Sequence, residues 1–324
     1  MSAVAPGAPV DFSSAAFTQY YARHIQPLCD GFDRKRQDAA STVGKRKLLA
    51  IVPALLVVAL AAWIITAFRF DAGIVVGGFG LFVLAAWVLS PQVFYEQEIK
   101  TKVWPVVFAF FGPDFRFHPA SKTGGSPAAL QKSGVLRIDG KSKWDFSDRV
   151  TGTYRGVGVL LEELRVRREK KKDQYEDVFK GVAITLRLGG PMKGRTVLFK
   201  DGGVLGNFTR TAPDGMQRVR LEDPVFEKVF EVYAQDQIDA RVCLTPSVMD
   251  RLRSLAERHG NKLECSFCDG SLHVFIATEH NYFEVRSGLA ETVTFRKEVA
   301  AIRNEMATVF AIVDELKLHQ QVRI

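Results

Sequence analysis

The chain has 324 residues, 47% of them hydrophobic and 25% charged, which excludes both a disordered chain and a bundle made of membrane helices alone. Its formal charge of +8 points to anionic neighbours, whether nucleic acid, phospholipid or an acidic protein. Four cysteines (Cys29, Cys243, Cys265 and Cys268) are too few for a disulfide scaffold at this length and fit a reducing compartment.

Residues 1–47 form the first segment. Phe17, Tyr20, Tyr21, His24, Ile25, Leu28 and Phe32 recur at helical spacing. Leu48 to Phe68 is then an uncharged run of 21 residues. At about 1.5 Å per residue it reaches ~31 Å, enough for a hydrocarbon core of ~30 Å. After Arg69, Phe70 and Asp71 a second apolar run spans Ala72 to Leu89, ~27 Å long. The pair reads as a transmembrane helical hairpin over 48–89; the alternative is a buried hairpin in a soluble core. A secretory signal is disfavoured, because the first run starts late and a second follows at once.

Arg34, Lys35, Arg36, Lys45, Arg46 and Lys47 precede the first run, and Lys100 and Lys102 follow the second, whereas the connector carries Arg69 alone. The positive-inside rule therefore puts both termini in the cytoplasm, with two spans. Trp63 and Trp87 fall near the run ends expected at the outer and inner interfaces. Gly73 and Gly77 make a GxxxG spacing that lets helices approach closely within the hairpin.

Residues 90–324 read as a cytoplasmic α+β domain. Ile99, Val103, Val106, Val107, Phe110 and Phe111 continue a helical stripe, with Pro105 as a kink or break. This stripe is expected to pack on that of residues 17–32. Lying on the membrane surface is the alternative, given Trp104 and the phenylalanines. Residues 121–133 read as a loop. From Gly134 the apolar period becomes two: 134–139 as a strand, 150–166 as one strand bent at Gly152, Gly156 and Gly158, then 182–188 and 195–200 about a turn at 189–194. These make an antiparallel meander. Its longest connection is basic, with Arg165, Arg167, Arg168, Lys170, Lys171 and Lys172 clustered as a solvated loop or a contact for anionic lipid. Nucleic-acid binding is disfavoured, since no aromatics interleave the run and no binding module is recognisable.

Further along, Asp223-Pro224 and Thr245-Pro246 carry the cap-plus-Pro signature of helix starts. Val248, Leu252, Leu255 and His259 mark one face of the second of these helices, which Gly260 stops. A hairpin about Asp269-Gly270 pairs Phe267 with Leu272, Cys265 with Val274 and Leu263 with Ile276. Phe295, Val299, Ile302, Met306, Val309, Phe310, Val313 and Leu316 then form the stripe of a C-terminal helix.

Few residues suggest chemistry. Cys265 and Cys268 have CxxC spacing, yet on a strand they point to opposite faces, one into the core and one outward. Cys268 and His273 share the outer face at a diagonal spacing of ~7–8 Å, too loose for a two-ligand metal site. No nucleotide, cofactor or catalytic motif is present, and no cofactor is expected. The remaining polar cluster lies in "EVYAQDQIDARVCLTP" (231–246). Asp236 suits a helix N-cap and Asp239 its first turn, with Ile238 and Val242 on one face. Arg241 is left to pair with Asp236 or Glu231, or to contact a ligand.

The order of a helical hairpin, "GTYRGVGV", "FKGVAI", "KGRTVLF", the block "LEDPVFEKVFEVYAQDQIDARVCLTPSVMDRL" and a short hairpin resembles the bacterial family called domain of unknown function 3137, over about residues 90 to 318. Family members often carry an aromatic after the equivalent of Arg241, where this chain has Val242 and Cys243. The resemblance implies a membrane-anchored cytoplasmic domain and no established activity. The sequence thus points to a binding or scaffold module at the inner face of the bacterial cytoplasmic membrane, docking on anionic lipid or a membrane protein partner. The rivals are an enzyme using Asp236, Asp239 and Arg241, and a subunit of a larger membrane assembly.

Overall fold

The computed structural model describes residues 14–68, 72–119, 126–136, 138, 141–171, 174–189, 194–201, 212–213, 215–279, 283, 289 and 296–321; within these ranges the side chains of 14, 68 and 315–321 are not described. The chain folds into two compact units. One is built on Thr18–Val106, and the other on Val107–Phe283 and Lys297 onward.

The first unit is a helical hairpin. Helix α1 (Ser14–Tyr20) passes through a π-turn (Tyr21–Ile25) into α2 (Gln26–Phe68), and α3 spans Ala72–Ala109. Each long helix joins an apolar run to the amphipathic stretch beside it. Pro105, expected to kink or break α3, lies inside it. The glycine spacing has a visible purpose: a Cβ on Gly77 would sit 2.9 Å from that of Ala61, and one on Gly73 would lie 2.6 Å from the Ala61 carbonyl oxygen. Glycine lets α3 approach α2 where any larger residue would separate them. At the opposite end of the apolar region, Arg46 donates to the Trp87 carbonyl (2.6 Å) and the Ser90 hydroxyl (2.7 Å).

Beyond Arg46 the amphipathic stripes pack on each other. Ile25, Cys29, Ile99, Val103 and Trp104 are buried, the Tyr20 hydroxyl donates to the Val106 carbonyl at 2.9 Å, and Phe32 meets Tyr95 edge-on. Trp104 is thus a core residue and not a membrane-surface anchor. Between Leu48 and Phe94, by contrast, large apolar side chains are exposed; among the described residues, Val225 and Ile238 are the exposed large apolar side chains outside that stretch.

The second unit is one nine-stranded antiparallel sheet with helices. Its strands are β1 (Arg116–His118), β2 (Ser142–Tyr154), β3 (Val157–Lys171), β4 (Gln174–Arg187), β5 (Thr196–Lys200), β6 (Gln217–Val219), β7 (Phe230–Ala234), β8 (Leu263–Cys268) and β9 (Ser271–Ala277), in spatial order β1-β2-β3-β4-β9-β8-β5-β7-β6. The helices are α4 (Pro127–Lys132), α5 (Pro224–Glu227), α6 (Gln237–Cys243), α7 (Pro246–Arg258) and α8 (Arg296–Gln321).

One apolar row crosses the whole sheet in register: Phe117, Val150, Leu161, Ile184, Val274, Cys265, Leu198, Val232 and Val219, all buried. It is the core that holds the register, since a slip of one residue would send each of these side chains to the other face. On the same face Tyr154 stacks on Phe310 of α8, and α7 and α8 are tied by His259 and Glu305 at 3.3 Å. The hairpin about Asp269-Gly270 has the expected pairing at all three positions.

Four expectations are corrected. The strand expected at 134–139 is absent among the described residues of that stretch. Residues 150–166 are not one bent strand; Arg155 and Gly156, both at positive φ, make a two-residue turn between β2 and β3. Within 121–133, Ser126 caps α4, accepting from the Ala129 amide, with Pro127 at its first position. The basic connection is mostly strand, because β3 continues to Lys171; Lys172 lies outside the described residues, as do the connector at 69–71 and most of the turn at 189–194.

Candidate functional site

The polar stretch suspected as an active centre resolves into helix-end chemistry. The Asp236 carboxylate accepts from the amides of Ile238 (2.8 Å) and Asp239 (3.0 Å), making it the N-cap of α6, with Asp239 in the first turn. Arg241 reaches backbone: it donates to the carbonyls of Gln237 (3.2 Å) and Arg220 (3.4 Å) and to the Gln237 side chain (3.4 Å). The buried Glu231 has Arg218 at 3.5 Å. Ile238, expected on an apolar face, is 73% exposed.

The basic run faces acids across the strands. Arg165 grips Asp177 with two bonds (2.6 and 2.8 Å), Arg167 donates to Asp145 (2.7 Å), and Arg168 and Lys170 share Glu176, the lysine at 3.0 Å. The Arg165 and Arg168 bonds hold the Asp177 and Glu176 carboxyls below the usual carboxylate range. Lys143 caps the ring of Tyr175 at 4.3 Å. The charges are thus largely matched in place, and pairs so exposed to water and salt add little to stability.

The sheet face opposite the α8 side was expected to be exposed at Cys268 and His273. It is covered instead, because residues 126–136 and 138 lie across it and bury Leu130, Val135, Leu136 and Ile138 against Leu164, Val166, Phe179, Val197, Phe199 and Phe275. Cys268 is therefore buried, its thiol 3.7 Å from the Lys132 carbonyl, and burial raises its pKa. Two cavities flank this strap.

The smaller, of about 170 Å³, is lined by the buried Glu162, Thr185 and His273 together with Cys268, Arg187 and Ser271. Thr185 Oγ1 and His273 Nδ1 are 3.1 Å apart, and burial pushes the imidazole pKa down. Glu162 lies opposite Arg149 in the β2–β3 register. Among the described residues no group of three or more His, Cys, Asp or Glu is arranged to hold a metal ion.

The larger cavity, of about 700 Å³, opens where β9 and β8 stop short of the overhanging start of β4. Its floor is apolar: Val135, Leu136, Val178, Phe179, Phe199 and Phe275. Its mouth is charged, with Lys180, Lys200, Lys262, Glu264, Glu279 and Asp177. A volume of this size, apolar below and polar at the rim, suits a small-molecule ligand. None of these floor residues was singled out in the sequence as a binding residue. They come from separate strands and from the strap, and only the sheet order brings them together.

Residues 177–318 match the family described as "Protein of unknown function (DUF3137)", supporting the resemblance carried by the 221–252 block. The comparison with curated proteins returned no match. Among solved structures, the crystal structure of the mycobacterial trehalose monomycolate transport factor A, TtfA, is similar at 12% identity, over 60% of this chain and 88% of that one, with a TM-score of 0.31. A likeness that slight carries neither fold nor function to this chain.

Proposed function

We propose that this chain, which matches the DUF3137 family over residues 177–318, is a membrane-tethered binding module at the inner face of the bacterial cytoplasmic membrane, with both termini cytoplasmic. The observation that carries the reading is the concentration of exposed large apolar side chains between Leu48 and Phe94 on two adjacent helices. A soluble surface rarely presents so continuous an apolar region, and a bilayer removes it from water. Arg46 over Trp87 fits an interfacial anchor at the cytoplasmic end.

Binding is favoured over catalysis because Asp236 and Arg241 serve α6 and its surroundings, while the large cavity offers an apolar floor and a charged mouth. A second surface is the β3–β4 arm. Lys171 has no ion-pair partner among the described residues, and exposed pairs such as Arg167–Asp145 open readily, so the arm is proposed to contact anionic headgroups weakly.

Extraction of membranes at alkaline pH tests the tether. The full chain is expected to stay with the membrane until detergent is added. Release by carbonate alone would overturn the reading.

A further inference from the structure

We infer that the open edge of β4, beside the cavity of about 700 Å³, is a docking site for an extended segment of a protein partner, apolar at alternate positions, which adds to the sheet as a strand. The inference names the partner class of the binding module proposed above. It rests on the binding half of that reading and not on the tether.

Two adjoining features select this partner. The first is backbone. β4 begins at Gln174, but β9 pairs with it only from Gly181, and one further bond joins the Thr278 amide to the Lys180 carbonyl at 3.0 Å. By Phe283 the chain packs on Phe117 of β1, three strands away from β4. Among the described residues, Gln174–Phe179 therefore has β3 on one side and no strand on the other. The amides and carbonyls of such an edge are a template for another strand. The second feature is the floor. Asp177, Val178, Phe179 and Lys180 line the cavity in unbroken succession, together with Ala277 and Thr278 where β9 leaves. Side chains alternate between faces along a strand, so this lining reaches the edge of β4 as well as its face. A strand laid on that edge would turn every second side chain to the sheet face that carries Phe199 and Phe275, which offer carbon and no hydrogen-bonding group. The cavity by itself would accept any small apolar molecule. The edge adds main-chain hydrogen bonds that only a peptide can form in series, while the floor reads alternate side chains. The arm's other edge, β2 from Ser142 to Phe146, borders neither cavity and lacks this floor.

The test is fluorescence anisotropy of a labelled peptide alternating valine and threonine, about eight residues long so as to span the overhang. The full chain is held in lipid nanodiscs, and empty discs are subtracted. Two control peptides keep the length: one N-methylated along both edges, which removes the donors, and one with serine for valine, which removes the apolar side chains. The expected result is saturable one-site binding of the first peptide, with each control at least about tenfold weaker. Hydrogen exchange should slow on binding at Gln174–Lys180 and stay unchanged at Ser142–Phe146. Absence of saturable binding overturns the inference. Equal binding of the methylated peptide would assign the cavity to a small apolar ligand, and equal binding of the serine peptide would remove the floor from recognition; either overturns it. So does binding that leaves exchange at Gln174–Lys180 as it was, or that slows it equally on β2. An overhang already protected in the free chain, with two chains per disc, would give the edge to a second copy and overturn the inference too. Carbonate extraction reads nothing from this edge, so failure of the tether and failure of the site are distinguishable.

Discussion

The guanidinium of Arg46 lies 4.9 Å over the ring of Trp87 and donates to that residue's own carbonyl at 2.6 Å. One side chain thereby engages both an aromatic face and an accepting oxygen of the neighbouring helix, at the level where the basic flank meets the apolar run. The contact is expected to stabilise the hairpin by about 1–2 kcal/mol. Arg46→Ala should lower the unfolding midpoint in a fixed detergent, and Arg46→Lys should recover part of the loss. Lys45→Ala, at an exposed neighbour, should leave the midpoint unchanged.

Gly77 offers a second test of the hairpin. A Cβ there meets Ala61 at 2.9 Å, whereas one on Gly78 meets nothing within 4 Å. Gly77→Leu should separate the helices and reduce thermal stability, while Gly78→Ala should be neutral. The measurement is the melting transition of the two variants alongside the wild type. Equal losses would refute the glycine-lined contact.

At the helix cap, Asp236→Ala should cost about 1 kcal/mol of stability, since it removes an acceptor shared by two amides. Asp236→Asn should cost a few tenths at most, because an amide oxygen still caps. Chemical denaturation at neutral pH checks both. An alanine variant as stable as the wild type would mean that Asp236 does not act through the cap.

His273 gives the domain a pH dependence. Burial holds its pKa below the ordinary value of about 6.5, so the unfolded chain takes up a proton at a higher pH than the folded one. The stability from keeping this ring neutral is complete above pH 6.5 and is lost as pH falls from there through the folded value. In a melting series from pH 7.5 to pH 5, His273→Asn should flatten that part of the slope. An unchanged slope would assign it to other groups.

The parts of the fold legible in the sequence were those set by neighbouring residues. Asp223-Pro224, Asp236 and Thr245-Pro246 mark helix starts because a cap needs only a side-chain oxygen and the next two or three amides. The hairpin about Asp269-Gly270 reveals its register because one turn and one alternating face determine it. The signals that failed were ambiguous or distant. Arg155-Gly156 looks like a bulge until β2 is seen to pair back on β3. The basic residues of β3 read as loop because their acids, Asp145, Glu176 and Asp177, lie on other strands or beyond the turn. Burial of Cys268 and His273 depends on the strap that starts at Ser126, far away in the chain; Lys132, whose carbonyl faces the Cys268 thiol, is 136 positions before it. The large cavity is hardest of all to read in advance, since β3–β4 overhang and β8–β9 truncation create it together.

The central claim is a two-span tether with the sheet domain in the cytoplasm, and reporter fusions in a bacterial host test it most directly. Green fluorescent protein at the C-terminus should fluoresce and alkaline phosphatase there should be inactive, whereas phosphatase inserted in the connector between the two spans should be active. An active phosphatase at the C-terminus of the full chain would contradict the account.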